Sequence, residues 1–274
     1  MLIRSKNFNI AQIANSGQCF RMNEISENKF SMIAYGTYIE LEQLDEETVN
    51  ISCSEEDFHE RWVEYFDFKY DYDRIVKELI QGKDQFLKAA AEYGKGIRIL
   101  KQEPFEMLIS YIISQNKNIP SIKNCIERIC ERYGEKRRSD QGEGVTYYTF
   151  PSPDRLAKAS AKDLRELKLG YRDEYIINAA QAVVQGELPL EKLMGCSFEE
   201  AAAVLKKIRG IGNKVANCIL LYGLHHIEAF PVDVWIAKVL KEIYDNRFDV
   251  KIYDGYAGIV QQYMFYYMRN LKGV

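Results

Sequence analysis

Residues 205–240 read LKKIRGIGNKVANCILLYGLHHIEAFPVDVWIAKVL. An apolar helix ends near Ile208-Arg209, two glycines one residue apart follow, and a second apolar helix begins at once. Glycine permits φ > 0 and lets the main chain approach a ligand closely. Gly210 and Gly212 therefore predict a tight hairpin between two helices. The N–H groups that follow lie at a helix N-terminus, which is a ready site for an anion such as phosphate. A simple helix–helix turn is the other reading of Gly-x-Gly taken alone.

Lys214 falls in the first turn of the second helix. A cation at that end opposes the helix dipole, and burial would further disfavour the charged form. A neutral amine is a nucleophile that can form a Schiff base. A surface lysine is the commoner outcome for this residue type. Cys218, four residues on, shares the face of Lys214. Phe230-Pro231-Val232-Asp233-Val234-Trp235 comes next. Pro231 suits the entry to a helix, and Asp233 is a natural cap. Facing Lys214, the same carboxylate would stabilise an oxocarbenium-like centre as a glycosidic bond breaks.

Outward from this stretch, the composition is that of a globular chain. It has 274 residues, 47% of them hydrophobic and 28% charged, which excludes a mostly disordered protein. The length suits one large domain or two smaller ones. Apolar runs such as 218–224 are far short of the roughly 18 residues of a membrane helix. The start, MLIRSKNFNI, is too polar for a signal peptide. No membrane partner is expected. The six cysteines (19, 53, 125, 130, 196 and 218) form no CxxC and no short Cys/His cluster. That argues against zinc, an iron–sulfur cluster or a disulfide framework. The expectation is no metal, no cofactor and a reducing, cytoplasmic setting.

The formal charge is −3, and it is unevenly spread. Residues 1–100 carry 12 Lys and Arg against 18 Asp and Glu, and residues 101–274 carry 25 against 22. The basic part holds the hairpin and the lysine. It predicts modest, salt-sensitive phosphate affinity.

Strand-like alternation over 30–43 and again at Val49, Ile51 and Cys53 predicts half-buried antiparallel strands. Glu55 to Phe66 reads as helix. Phe105, Leu108, Ile109, Ile112 and Ile113 then follow helical spacing, as do Ile122, Cys125, Ile126, Ile129, Cys130 and Tyr133, with Gly134 as a stop. Lys136 to Gly144 reads as a charged loop. Ser160 opens a helix that Gly170 closes, and Ser197-Phe198-Glu199-Glu200 is a capping-box start for a helix ending near Gly210. The fold class is α+β. An antiparallel sheet with helices occupies residues 1–100, and a mostly helical body occupies 101–274.

Ile208 to Ala216 followed by Pro231-Val232-Asp233 resembles the helix-hairpin-helix/Gly-Pro-Asp signature of base-excision DNA glycosylases. Lysine at 214 is similar to the bifunctional members, which cleave the base and then nick the strand. Endonuclease III-type members carry four cysteines after the Asp, and no cysteine follows Cys218. Asn15-Ser16-Gly17-Gln18-Cys19-Phe20-Arg21 resembles the SGQ-x-FRW segment of 8-oxoguanine DNA glycosylases. Ser114-Gln115-Asn116-Lys117-Asn118-Ile119 is similar to their S-x-N-x-N-I loop, and Leu169-Gly170-Tyr171-Arg172 to their L-G-Y-R turn. Tyr256-Ala257-Gly258, with Gln261 and Phe265, resembles their C-terminal helix. The resemblance runs from about residue 8 to 265. The short end after Phe265 suits a compact prokaryotic version without an iron–sulfur cluster.

The resemblance implies a monomeric, nucleoid-associated enzyme whose partner is double-stranded DNA containing oxidised guanine. The damaged base is flipped into a pocket, since its target atoms are unreachable inside the stack. Lys214 would attack the anomeric carbon, and Asp233 would stabilise the developing charge. The Lys214 imine would then permit β-elimination. The Gly17 carbonyl would accept a hydrogen bond from the N–H that distinguishes 8-oxoguanine from guanine. Cys218 and Phe265 would sandwich the base beside Pro231, and Gln261 would bond its pairing edge. Asn116 would fill the gap, Tyr171 would wedge the stack and Arg172 would face the orphaned partner. The N–H groups of Gly210, Gly212 and Val215 would hold phosphate. Two positions depart from eukaryotic members. Ser121 stands where they have Arg, which implies a weaker demand for cytosine opposite the lesion. Trp235 stands where they have a phosphate-contacting His. A glycosylase for another damaged base is an alternative. So is a non-catalytic DNA-binding module, although that has no use for Lys214 and Asp233 together.

Overall fold

A computed structural model describes residues 1–140 and 144–271. The N-terminal part holds a five-stranded antiparallel sheet of β1 (Leu2–Arg4), β2 (Met22–Ser26), β3 (Lys29–Ala34), β4 (Thr37–Gln43) and β5 (Thr48–Ile51). Its strand order is β1-β5-β4-β3-β2. The alternation over 30–43 resolves into a hairpin. Phe30, Met32 and Ala34 point into the core from β3. Tyr35 (φ 50°) and Gly36 (φ 66°) then turn the chain so that Ala34 pairs with Thr37. Positive φ at both central residues suits the twist of the flanking strands. β1 and β2 carry no readable alternation: β1 is three residues long, and β2 buries only Met22.

The principal helices are α1 (Ile10–Asn15), α2 (Tyr72–Gln81), α3 (Gln85–Gly94), α4 (Pro104–Ile113), α5 (Ile119–Tyr133), α6 (Arg172–Val184), α7 (Phe198–Leu205), α8 (Asn213–Tyr222), α9 (Val234–Glu242) and α10 (Ala257–Leu271). The predicted stripes are the buried ones. Leu108, Ile109, Ile112 and Ile113 are fully enclosed on α4, and Cys125 and Cys130 are core residues of α5. Two hydrophobic cores result. Phe8, Ile13, Met32, Leu41 and Trp62 pack under the sheet. The apolar faces of α2 and α3 instead join the helical core. Packing therefore does not divide the chain at residue 100.

Three local readings change. The expected loop at 136–144 begins as a strand, because Lys136–Arg138 pairs with Thr146–Tyr148 in a two-stranded hairpin. Charged side chains are well tolerated on such exposed strands. Residues 141–143 of that loop lie outside the described residues. Ser160 does cap a helix, accepting from the Asp163 N–H at 3.0 Å. That helix, Ala161–Glu166, stops short of Gly170 because Lys168 (φ 65°) already turns the chain. The Ser197–Glu200 capping box is present, but α7 ends at Leu205. The residues up to Gly210 form the hairpin turn.

Gly258 shows how tightly the C-terminal helix seats against the body. Its N–H donates to the Ile227 carbonyl at 2.7 Å. A Cβ there would lie 2.4 Å from Leu221 Cδ1 and 2.8 Å from the Ala229 carbonyl oxygen. Gly258→Ala is therefore expected to lower stability by about 1–3 kcal/mol through overpacking, measured by urea denaturation. An unchanged midpoint would show that this seat is looser than its geometry.

Candidate active site

Several distant stretches build one cavity of about 410 Å³. Lys214 and Cys218 enter from α8, and Pro231 and Asp233 come from the segment before α9. Gln261 and Phe265 enter from α10, and Gly17 from the loop after α1. The cavity thus brings together every residue predicted for catalysis or base binding.

The two hairpin glycines serve different ends. Gly210 adopts φ 92°, and a Cβ on it would lie 2.5 Å from the ring of Tyr175. Gly212, the cap of α8, is extended (φ −90°), so φ > 0 is not what it supplies. Nothing lies within 4 Å of where its Cβ would be, which leaves the approach to the α8 N-terminus open. Lys214 follows in the first turn, its Nζ 5.8 Å from the centre of the Tyr111 ring. Val215 buries its side chain below the N–H groups of the same turn.

Asp233 is a cap and a cavity wall together. Its Oδ1 accepts from the Trp235 N–H at 3.0 Å and the Ile236 N–H at 2.9 Å. Burial pushes the carboxyl above the ordinary carboxylate range, and the cap bonds and the Lys214 charge partly offset this. Burial also pushes the Cys218 thiol up to about 11, against the pull of neighbouring Lys214. The thiol therefore stays protonated at neutral pH.

Gly17 adopts φ 78°, and a Cβ on it would press on Phe265 Cε1 at 3.2 Å and Ile119 Cδ1 at 3.3 Å. The loop around it is pinned by buried amides that the sequence did not mark as functional. Gln18 Nε2 donates to the Arg98 carbonyl at 2.8 Å, and Gln18 Oε1 accepts from the Leu100 N–H at 2.8 Å. Gln262 Nε2 donates to the Ser16 carbonyl at 2.7 Å, and the Tyr222 hydroxyl donates to Gln262 Oε1. Tyr222 also stacks on Tyr111, with ring centres 5.4 Å apart, and both line the cavity. The available signal was Gln261-Gln262, two amides on an otherwise apolar helix.

Asn116, Tyr171 and the hairpin form a second group outside the cavity. Asn116 is exposed and left-handed (φ 51°), and its Nδ2 donates to the Tyr171 hydroxyl at 3.2 Å. Arg172 departs from expectation. It is buried, with Nη1 donating to the Leu169 carbonyl at 3.1 Å and Nη2 to the Gln115 carbonyl. Its guanidinium lies 4.4 Å from the centre of the Tyr171 ring. A guanidinium has only donors to satisfy; main-chain carbonyls take Nη1 and Nη2, while the buried Nε has no partner among the described residues. Arg172 therefore supports the turn that carries Tyr171 and does not face outward. Trp235, also unassigned to the pocket beforehand, lines it beside Asp233.

Fold and cavity define a helix-hairpin-helix protein with a lysine and a carboxylate in one pocket. Comparison with known families agrees. Residues 1–108 match the 8-oxoguanine DNA glycosylase N-terminal domain, and residues 109–249 match the HhH-GPD superfamily of base excision DNA repair proteins. A probable N-glycosylase/DNA lyase of Methanothermobacter thermautotrophicus is 32% identical over 76% of this chain and 74% of its own length. The N-glycosylase/DNA lyase of Saccharomyces cerevisiae is 29% identical over 89% of this chain and 70% of its own. The crystal structure of the Clostridium acetobutylicum 8-oxoguanine glycosylase/lyase, in complex with double-stranded DNA containing cytosine opposite 8-oxoG, superposes with a TM-score of 0.91 at 36% identity. That match covers 97% of this chain and 93% of the other. The chain belongs to the HhH-GPD superfamily and, within it, to the 8-oxoguanine DNA glycosylase family.

The raised Asp233 carboxyl makes a stability prediction. A carboxyl held above its unfolded value contributes stability that is full below that unfolded value and is lost as pH rises through the folded one. Asparagine keeps the cap acceptor. Asp233→Asn should therefore melt at or above the parent at neutral pH, with the gap closing as pH falls below the ordinary carboxylate range. Thermal melts across that range check it. A variant melting lower at neutral pH would mean that the ionised carboxylate stabilises the fold.

Proposed function

We propose that this protein excises 8-oxoguanine from double-stranded DNA and then cuts the strand at the resulting site. The observation that carries the reading is the single cavity faced by Lys214, Asp233 and Gly17. Lys214 Nζ, as the neutral amine, bonds to C1′ as the glycosidic bond breaks and the base leaves with its electron pair. The nitrogen then loses a proton, and its lone pair forms the C1′=N bond of the imine as the C1′–O4′ bond breaks, the sugar ring opens and O4′ takes up a proton. Loss of a C2′ proton expels the 3′-phosphate by β-elimination. Both cap bonds fall on Asp233 Oδ1, which leaves Oδ2 to face the positive charge developing on the sugar. Gly17 presents its carbonyl to the damaged base between Cys218 and Phe265, with Gln261 on the pairing edge. Nearby N–H groups of Gly210, Gly212 and Val215 hold phosphate. Asn116 and Tyr171 occupy the disturbed stack. The relatives named as glycosylase/lyases, two of them matching along most of the chain, support this reading.

Borohydride trapping tests the chemistry. Incubation with an 8-oxoguanine duplex should give a covalent protein–DNA adduct. Lys214→Gln should abolish that adduct and slow excision by on the order of a thousandfold, with duplex binding largely kept. An adduct persisting in the variant would point to another nucleophile.

Ser121 bears on the partner base. It lies in the first turn of α5, where its N–H donates to Asn118 Oδ1 at 2.9 Å. A lost bidentate contact removes about 1–3 kcal/mol of discrimination. Excision rates with cytosine, adenine, guanine or thymine opposite the lesion should therefore fall within roughly tenfold of one another. A strict requirement for cytosine would refute this.

A further inference from the structure

We propose that Gln115 is a positioning residue that sets the register between the phosphate-binding hairpin and the gap-filling Asn116. The proposal rests on the function proposed above, because it assumes that Asn116 enters the space left by a flipped base.

Gln115 follows α4 directly and is half-buried. Its Nε2 donates to the Ile112 carbonyl at 3.1 Å and to the Gly210 carbonyl at 3.1 Å. Both partners are acceptors, so only the amide nitrogen can point at them, and both of its protons are used. The Gln115 carbonyl accepts from the Arg172 guanidinium. One residue thus joins the end of α4, the hairpin and the wedge turn.

The elements it joins cannot move separately. Tyr175 of α6 sits against Gly210, where even a Cβ would collide with its ring. Asn116 donates to the Tyr171 hydroxyl, and Lys117 Nζ donates to the Lys168 carbonyl at 3.2 Å. Asn116 and Lys168 both hold positive φ, a conformation that persists only where the surroundings enforce it. The Gly210 carbonyl belongs to the same turn whose N–H groups lie at the α8 terminus. A phosphate seated on those groups fixes Gly210, and through Gln115 it fixes Asn116. Asn116 then enters the stack at one defined distance from the phosphate held by the hairpin.

Two substitutions on the full chain test this. Gln115→Met keeps length and bulk but has no donor. Gln115→Glu turns an acceptor toward two carbonyl oxygens when ionised and regains one donor when protonated. The measurements are affinity for an undamaged duplex, fluorescence of a 2-aminopurine beside the lesion as a readout of flipping, single-turnover excision and thermal melting. For Gln115→Met, undamaged-duplex affinity should stay within about twofold. The flipping signal and the excision rate should fall about five- to tenfold, as for one lost hydrogen bond. For Gln115→Glu, excision relative to the parent should recover as pH falls into the carboxylate range. Parent-like flipping and excision in the Met variant would overturn the proposal. So would a proportional loss of duplex affinity, or a lower melting point with unchanged activity per folded molecule. Failure of the parent chain to excise 8-oxoguanine would instead refute the proposed function, and the flipping signal would still report on Gln115.

Discussion

One buried amide holds the pocket together. Gln262 is fully enclosed, donates to the Ser16 carbonyl at 2.7 Å and accepts from the Tyr222 hydroxyl. It therefore joins the loop after α1, the end of α8 and the middle of α10. An unsatisfied buried donor or acceptor costs about 1–3 kcal/mol, so none of the three can shift without breaking this bond. Gln18 repeats the device from the other side, bonding the Arg98 carbonyl and the Leu100 N–H. Gly17 lies between two residues fixed in this way. The direction of its carbonyl is thus a consequence of amides that touch no substrate.

The chemistry is placed by the same economy of fixed groups. Asp233 uses Oδ1 to start α9 and keeps Oδ2 free of those cap bonds, so the cap orients the carboxyl in the cavity wall. Cys218 lies on the face of Lys214, yet burial holds its thiol protonated at neutral pH. The thiolate is the reactive form, so the sulfur beside the amine remains an apolar part of the cavity wall. The left-handed positions of the neighbouring face, Asn116 and Lys168, are likewise held by ties within the protein itself.

The legible part of this molecule was the part carried by local spacing and by side-chain type. Apolar periodicity marked α4 and α5, and the capping box marked the start of α7. The seven residues that the resemblance implied for catalysis and base binding all line the cavity, whereas Tyr111, Tyr222 and Trp235, which also line it, were not marked. What stayed hidden depends on long-range packing. β1 and β2 have too little patterned burial to show themselves. The basic Lys136–Arg138 strand looked like a loop because its partner strand is what makes it a strand. Arg172 looked exposed because a charged residue in a turn usually is. Its burial depends on carbonyls from Leu169 and from Gln115, 57 residues away. Gln262 looked like a second polar residue on a mostly apolar helix, and only the fold reveals Ser16 across from it.

The charge distribution is part of the same design. A net charge of −3 gives no broad attraction to a polyanion. Attraction comes instead from the basic body and from oriented N–H groups at the α8 terminus, whose partial charge acts over a single turn. A short-range field of that kind favours contact only where the backbone can fit the open space beside Gly212. The N-terminal part carries the acidic excess, yet the residues it gives the cavity, Ser16, Gly17 and Phe20, are all uncharged.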